Sequence, residues 1–156
     1  MSSMTVSQAI ASRFSARAFL PKPIPESVIA EMLSTARFAP SGTNTQPWKV
    51  YVLQGESLKR VANAVCVAFD RVAENPALAK EYTPDYDYYP ATWTEPFLAR
   101  RRENGWGLYG LLGIGRTERD KMRQQTRRNF TFFDAPVGLM VTMSRSMGRG
   151  SIMDCG

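Results

Sequence analysis

Prolines mark where regular structure can begin and end in this 156-residue chain, which contains ten of them. A helix cannot run undisturbed through proline, because the residue has no backbone N–H and its ring clashes with the preceding turn. Pro21, Pro23 and Pro25 therefore exclude a regular helix over residues 20–25. Pro40 ends a second helical pattern, and Asn75-Pro76 ends a third.

Between these breaks, apolar residues recur at the three- and four-residue spacing of helices. The predicted helices are residues 5–12, 26–38, 56–73 and 98–112, with a further one starting at Thr117, where Thr117 and Asp120 resemble a capping box. In the third helix we expect the inward-facing side chains to be Leu58, Val61, Val65, Phe69 and Val72. Residues 82–97 are rich in tyrosine and proline and follow neither helical nor strand periodicity.

Two segments, residues 48–53 and 136–143, have the β-branched and apolar composition of buried strands. A third signal lies at the end of the sequence, where Ser151 and Asp154 have the spacing of a helix start. Only two residues follow Asp154, too few for a stable helix. We therefore expect a single domain over residues 1–156 that is incomplete at its C-terminus. We also expect either an intact mass above 17.5 kDa or a second polypeptide that accompanies the chain.

The sequence contains no histidine. Its absence excludes Ser-His-Asp and Cys-His catalysis and histidine zinc sites, and Cys66 and Cys155 are too far apart in sequence for a metal-type pair. Any chemistry is then expected to depend on a bound cofactor, with no catalytic side chain and no metal. We also expect a cytoplasmic protein, since neither a signal peptide nor a membrane span is recognisable.

The net charge of +6 is concentrated in residues 98–150, which hold eleven basic and four acidic side chains. Fifteen of the twenty basic residues are arginines, which favour bidentate contacts to phosphate and carboxylate. Nucleic-acid binding is one interpretation of this charge, but no recognition motif accompanies it. A solvated helical face, or a surface that attracts anionic substrates, is the interpretation we favour, with no nucleic-acid partner.

Two polar segments are candidates for ligand binding. In an extended chain, Arg13, Ser15 and Arg17 point to the same side and form a cradle for phosphate or carboxylate. The alternative is a solvated polar edge with Phe14 and Phe19 facing the core. The loop of residues 40–47 is built from turn formers and hydrogen-bonding side chains, and is either a ligand-binding loop or a plain turn between helix and strand.

Taken together, these segments resemble the nitroreductase family. The similarity rests on Arg13-x-Ser15-x-Arg17-x-Phe19, Pro23-Ile24-Pro25 and Leu33-x-x-Ala36-x-x-Ala39-Pro40-Ser41-x-x-Asn44-x-Gln46-Pro47-Trp48. Later strings that also resemble the family are Phe133-Asp134-Ala135-Pro136-Val137 and Gly150-Ser151-x-x-Asp154-x-Gly156. The segment 82–97 and Gly105-Trp106-Gly107-Leu108-Tyr109 are similar to nitrobenzoate and nitrobenzene reductases.

The resemblance implies an α+β fold with a central antiparallel sheet flanked by helices, in an interlocked homodimer with FMN at the interface. Arg13 and Ser15 match residues at the phosphate and ribityl end of FMN, and Arg17 matches a basic residue near flavin N1 and O2. A cation there stabilises the negative charge of reduced flavin. The residues that match the loop reaching FMN from the partner subunit are Pro40, Ser41, Asn44 and Gln46.

The implied activity is ping-pong transfer of hydride from NAD(P)H through FMN to a small nitroaromatic acceptor. The residues suggested to contact the acceptor are Tyr86, Trp93 and Phe132, and the alternative for each is a core or dimer-interface aromatic. Two other functions stay open at this point. One is the same flavin fold with a quinone, enone or halotyrosine acceptor, and the other is a non-catalytic fragment or basic binding module.

Overall fold

The computed structural model describes residues 4–156, which form two compact units. Residues 4–58 and 133–156 make up the first unit, and residues 59–132 make up the second. The α-helices and strands are α1 (Val6–Ser12), α2 (Glu26–Ala36), β1 (Trp48–Gln54), α3 (Gly55–Glu74), α4 (Phe97–Leu111), α5 (Arg119–Arg127), β2 (Val137–Met143) and α6 (Gly150–Asp154), and short 3-10 helices lie at Gly42–Asn44, Pro76–Glu81 and Phe132–Asp134. The predicted elements are confirmed, with boundaries that differ by a few residues.

The first two helices begin as their sequences suggest. Thr5 caps α1 reciprocally, since its hydroxyl accepts from the Gln8 backbone N–H at 3.2 Å and its own N–H donates to the Gln8 side chain at 2.8 Å. Pro25 stands at the N-cap of α2, where its missing N–H leaves no helical hydrogen bond unmade. Between these helices, residues 13–25 have no regular secondary structure.

The first unit is organised by an antiparallel pairing of β1 and β2, which confirms the predicted α+β fold class. The register runs from Trp48 opposite Met143 to Gln54 opposite Val137. The prediction of buried strands was wrong in part, because Leu139 and Val141 are each 45% exposed. Among residues 4–156 the sheet has only these two strands, and two strands do not by themselves cover both of their faces.

The first unit also leaves large apolar side chains in contact with solvent. Phe14 is 79% exposed and Phe38 is 77% exposed, and the other strongly exposed apolar side chains of this unit include Val6, Ile10, Leu20 and Met32. These side chains belong to α1, to α2 and to the irregular segments that follow these helices. Phe14 and Phe19 do not face a core, so the polar-edge interpretation of residues 13–19 was wrong on that point.

In the second unit, the buried face of α3 is centred on Cys66, which is 2% exposed. Phe69 lies one turn further along and contacts Phe130, with 5.1 Å between the ring centroids. The inward orientation predicted for Val65 was wrong, since this side chain is 40% exposed. Each residue of a helix is rotated by about 100° from its neighbour, so burial of Cys66 turns Val65 away from the buried face.

Two predicted helix starts use different residues from those expected. Helix α5 begins at Arg119 with Glu118 at the N-cap, and no capping side-chain hydrogen bond forms, so the predicted Thr117–Asp120 capping box was wrong. The Glu118 carboxylate instead accepts from the Gly115 backbone N–H at 2.7 Å and pairs with Lys121. Helix α6 begins at Gly150 with Arg149 at the N-cap, so Ser151 does not cap it.

Over residues 4–156, none of the helices combines the length and the apolar composition needed to cross a bilayer. In the same described part of the chain, no three acidic or cysteine side chains are grouped closely enough to hold a metal ion.

Candidate functional site

The extended segment after α1 gathers its two arginines around one serine. Arg13 leaves the helix in an extended conformation and donates from Nη1 to Ser15 Oγ at 3.3 Å. Arg17 donates from Nη1 to the backbone carbonyl of Ser15, also at 3.3 Å. Both guanidiniums are exposed, and within residues 4–156 neither pairs with a carboxylate. Two positive charges beside a hydroxyl, without an anion of the protein between them, suit a phosphate or carboxylate ligand.

The loop after α2 holds its polar side chains through internal hydrogen bonds. Ser41 Oγ accepts from the Gln46 backbone N–H at 2.9 Å, and Gln46 Nε2 donates to Asn44 Oδ1 at 3.2 Å. Pro40 lies directly before Ser41. The loop is therefore a preorganised polar surface that joins α2 to β1.

This loop is also strained. Thr43, Asn44 and Gln46 have φ values of 51°, 56° and 47°. This left-handed region is tolerated by asparagine but is unfavourable for threonine and glutamine, and such conformations are often associated with ligand contact. The internal hydrogen bonds of Ser41 and Asn44 help to hold the loop in this conformation.

A hydrogen bond between residues distant in sequence connects this loop to α6. The Gly42 backbone N–H is 3.3 Å from each carboxylate oxygen of Asp154, which lies 112 positions later in the sequence. Asp154 was expected as part of a helix start and of a string that resembles the family, and its hydrogen bond to the loop was not predicted. The only signal in the sequence was its place in the string Gly150-Ser151-x-x-Asp154, which gives no information about its partner.

Segment 13–17 and the loop 40–47 remain separate clusters. Among residues 4–156, no hydrogen bond joins one to the other. The structure thus brings Arg13, Ser15 and Arg17 together, and separately brings Ser41, Asn44 and Gln46 together.

The three aromatic residues suggested for the acceptor lie in the second unit, and two of them are connected. Tyr86 contacts Tyr88, Tyr88 contacts Tyr89, and Tyr89 contacts Trp93, with ring centroids 6.2, 4.7 and 5.5 Å apart. Phe132 takes no part in this series of described ring contacts. It begins a turn in which Phe132, Phe133 and Asp134 all have positive φ, between 53° and 64°.

A family comparison covers the part of the chain that holds these clusters. The family model described as "Nitroreductase family" matches residues 10–156, which include all of the clusters above. This chain belongs to the nitroreductase family.

Individual members of the family are similar over most of this chain. The nitrobenzene nitroreductase of Ectopseudomonas oleovorans is 36% identical over 138 residues, covering 88% of this chain and 58% of that protein. A 4-nitrobenzoate reductase of Pseudomonas putida is 34% identical over 155 residues, covering 94% of this chain and 61% of that protein. The chain thus spans about three-fifths of the length of these relatives.

Solved structures of the family share the fold. The FMN- and NADPH-dependent nitroreductase NfnB from Sphigopyxis sp. strain HMH superposes with a TM-score of 0.79 at 36% identity, over 97% of this chain and 65% of that one. The FMN-dependent NfnB of Mycobacterium smegmatis, solved in complex with NADPH, has a TM-score of 0.80 at 29% identity. That match covers 96% of this chain and 64% of that one, so the nitroreductase-like fold predicted from the sequence is confirmed.

Not all basic residues of this nitroreductase-family chain are available to a ligand. Asp70 of α3 accepts from Arg127 Nε of α5 at 2.9 Å, and its other oxygen lies 3.8 Å from Arg123 Nη1. The hydrogen bond to Asp70 raises the pKa of the Arg127 guanidinium above its usual value. These two arginines join α5 to α3, and the high charge of residues 98–150 therefore includes groups that already share a carboxylate of the fold.

Proposed function

We propose that this chain belongs to an FMN-dependent oxidoreductase that passes hydride from NAD(P)H to a nitroaromatic acceptor. The single observation that carries the proposal is the Arg13–Ser15–Arg17 cluster, with two guanidiniums that pair with no carboxylate of residues 4–156. It is supported by relatives named for the reduction of nitrobenzene and 4-nitrobenzoate, and by similar structures described as FMN- and NADPH-dependent.

The donor set of this cluster fits FMN. Arg13 and Ser15 would bind the phosphate and ribityl end through charge-assisted hydrogen bonds. Arg17 would place its positive charge beside the flavin ring, where it favours the reduced form. When bound, FMN supplies the acceptance and delivery of hydride, which the side chains of this chain do not perform. We therefore assign no catalytic side chain and no metal, and solvent supplies the protons.

The proposed assembly is a homodimer in which each subunit completes the site of the other. Pro40, Ser41, Asn44 and Gln46 would contact the FMN held by Arg13, Ser15 and Arg17 of the partner subunit. This arrangement agrees with the absence of hydrogen bonds between the two clusters within residues 4–156 of one chain. It would also give the exposed apolar side chains around Phe14 and Phe38 a protein surface to pack against.

The acceptor would be a small aromatic molecule, with Tyr86, Trp93 and Phe132 as contact residues. The positive φ of Phe132 is consistent with such a role, because strained residues are often found at ligand sites. We place the protein in the cytoplasm and propose neither a nucleic-acid nor a membrane partner.

An absorbance experiment tests the flavin proposal. The purified protein is mixed with FMN, freed of unbound flavin by gel filtration, and reduced anaerobically with NADPH or NADH. We expect a retained flavin spectrum that bleaches on reduction and returns when nitrobenzene is added. A protein that retains no flavin would contradict the proposal, and recovery with a benzoquinone but not with nitrobenzene would assign a different acceptor.

A further inference from the structure

Trp93 is the least exposed of the four aromatic rings that contact one another within residues 86–93. Tyr88 and Tyr89 are 70% and 62% exposed, whereas Trp93 is half-buried. The Trp93 ring ends the series, with its centroid 5.5 Å from that of Tyr89 and a tilt of 44° between the two rings. The neighbours of Trp93 therefore decide whether this ring is ordered before a ligand arrives.

The backbone that follows Trp93 is hydrogen-bonded to the first turn of α4. The Thr94 carbonyl accepts from the Leu98 backbone N–H at 3.0 Å, and the Glu95 carboxylate accepts from the Ala99 backbone N–H at 3.1 Å. The N–H groups of a first helical turn have no partner within the helix, so both contacts satisfy groups that α4 leaves free. Trp93 thus leads directly into a segment whose position relative to α4 is fixed.

Arg101 lies one turn after the start of α4, and its side chain contacts the ring of Trp93. The guanidinium carbon is 4.9 Å from the centre of that ring. Arg101 forms no ion pair among residues 4–156, so no carboxylate of the described chain competes for its guanidinium. A guanidinium over an aromatic face attracts the ring electrostatically and keeps its own charge. Trp93 therefore contacts both Tyr89 and a cation that is carried by a regular helix.

We propose that Arg101 is a positioning residue for the aromatic acceptor, and that it acts by holding the indole of Trp93 in one orientation. This role rests on the proposed function, in which Trp93 contacts the acceptor. An aromatic ligand gains most from a ring that is already oriented, because offset and edge-on contacts depend on the angle between the rings. Ordering the ring before binding also removes part of the entropic cost of forming the complex. Arg101 thus favours binding of the acceptor without touching it.

A second contact of the same kind provides a matched control. The guanidinium carbon of Arg116 lies 4.8 Å from the centre of the Trp106 ring, and Arg116 likewise forms no ion pair among residues 4–156. Trp106 contacts Tyr109 and takes no part in the described ring contacts of residues 86–93. Substitution of Arg116 therefore removes the same charge and the same type of contact from a tryptophan that is not assigned to the acceptor.

Fluorine NMR of protein labelled with fluorotryptophan tests the orientation of Trp93 without any flavin. Each of the three tryptophans should give its own resonance, and Trp93→Phe identifies that of Trp93. Arg101→Gln should shift and broaden the Trp93 resonance, because the ring then samples several rotamers, and should leave the Trp106 resonance unchanged. Arg116→Gln should do the reverse. Arg101→Lys keeps a cation, so its Trp93 resonance should lie closer to that of the wild type than the resonance of Arg101→Gln does.

Initial rates of the FMN-loaded protein with NADPH and nitrobenzene test the consequence for the acceptor. Arg101→Gln should lower kcat/KM for nitrobenzene by about threefold to fivefold, as expected for the loss of one exposed cation–π contact. Its kcat/KM for NADPH should stay within about twofold of the wild-type value, whereas a general loss of structure would lower both values. Arg101→Lys should recover part of the loss, and Arg116→Gln should change neither value by more than about twofold.

The outcomes separate the role of Arg101 from the proposed function. An unchanged Trp93 resonance in Arg101→Gln, an unchanged kcat/KM for nitrobenzene in the same variant, or equal losses in Arg101→Gln and Arg116→Gln would overturn the role of Arg101 while nitrobenzene is still reduced. A protein that takes up no FMN, or whose reduced flavin is not reoxidised by nitrobenzene, would contradict the proposed function itself and the role of Arg101 with it.

Discussion

Arginines of the first unit and arginines of α5 in the second unit have different partners. Within residues 4–156, Arg13 and Arg17 donate to the neutral residue Ser15 and to no other side chain, and both are exposed. Arg123 and Arg127 share the carboxylate of Asp70 and connect two helices. An arginine that pairs with a carboxylate of its own chain therefore contributes to the fold, whereas an arginine without such a partner is suited to bind an external anion.

The largest expected effect comes from changing the unpaired arginines. Arg17→Ala and Arg13→Lys should each weaken FMN binding by about tenfold to a hundredfold, since a charge-assisted hydrogen bond or its fork geometry is lost. Fluorescence quenching during FMN titration measures the affinity.

Arg17→Ala has a second consequence, which distinguishes its proposed role from that of Arg13. The midpoint potential of bound FMN should fall by about 30 mV, corresponding to a tenfold greater loss of affinity for the reduced form. Arg60→Ala is the control, because it removes an exposed arginine elsewhere and should leave both values unchanged. An unaltered midpoint potential in FMN-bound Arg17→Ala protein would show that Arg17 does not lie beside the flavin ring.

A smaller effect is expected at the contact between Asp154 and Gly42. Asp154→Ala should speed amide hydrogen exchange over residues 41–46 and weaken FMN binding by about threefold to tenfold, as expected for one lost hydrogen bond. Asp154→Asn retains an acceptor oxygen and should lie between this variant and the wild type. Unchanged exchange in Asp154→Ala would show that the loop keeps its conformation without α6.

Removing the carboxylate shared by Arg123 and Arg127 should lower the stability of the fold and leave flavin binding unchanged. Asp70→Asn should lower the midpoint of thermal unfolding by about 2–4 °C, because it leaves Arg123 and Arg127 without their shared carboxylate in a partly exposed position. Its FMN affinity should change less than twofold. Glu74→Gln on the same helix is the matched control. A large loss of FMN affinity in Asp70→Asn would contradict the assignment of Arg123 and Arg127 to the fold and not to flavin binding.

The smallest effect is expected for Glu118, whose pKa is lowered by its hydrogen bond to Lys121 and then by that from the Gly115 backbone N–H. A carboxyl group whose pKa is lowered by folding stabilises the fold at pH values above its pKa in the unfolded state, which is near 4.3. This stabilisation is lost as the pH falls through the pKa of the folded state. Glu118→Gln should therefore change unfolding midpoints by about 1 °C or less at pH 7. The difference between the two proteins should shrink as the pH falls through the folded pKa of Glu118. A difference that grows as the pH falls would contradict this assignment.

Much of the local structure was predictable because it depends on nearby residues. The positions of the prolines and the helical spacing of α2 and α3 predicted these elements, and the composition of residues 48–53 and 136–143 predicted both strands. The grouping of Arg13 and Arg17 around Ser15 was also predictable, because residues two positions apart in an extended chain point to the same side. The predicted capping box at Thr117 and Asp120 failed because a different local interaction forms. The carboxylate of the next residue, Glu118, accepts a hydrogen bond from the Gly115 backbone N–H.

The family, the order of the helices and strands, and the residues chemically suited to hold an anion could all be read from the sequence, because they are properties of composition and spacing. The structure was needed to show which arginines are already paired, that Asp154 contacts the loop at Gly42, and that Val65 is exposed. These facts depend on contacts between positions that are distant in sequence or on the rotation of a helix, and no local pattern encodes them.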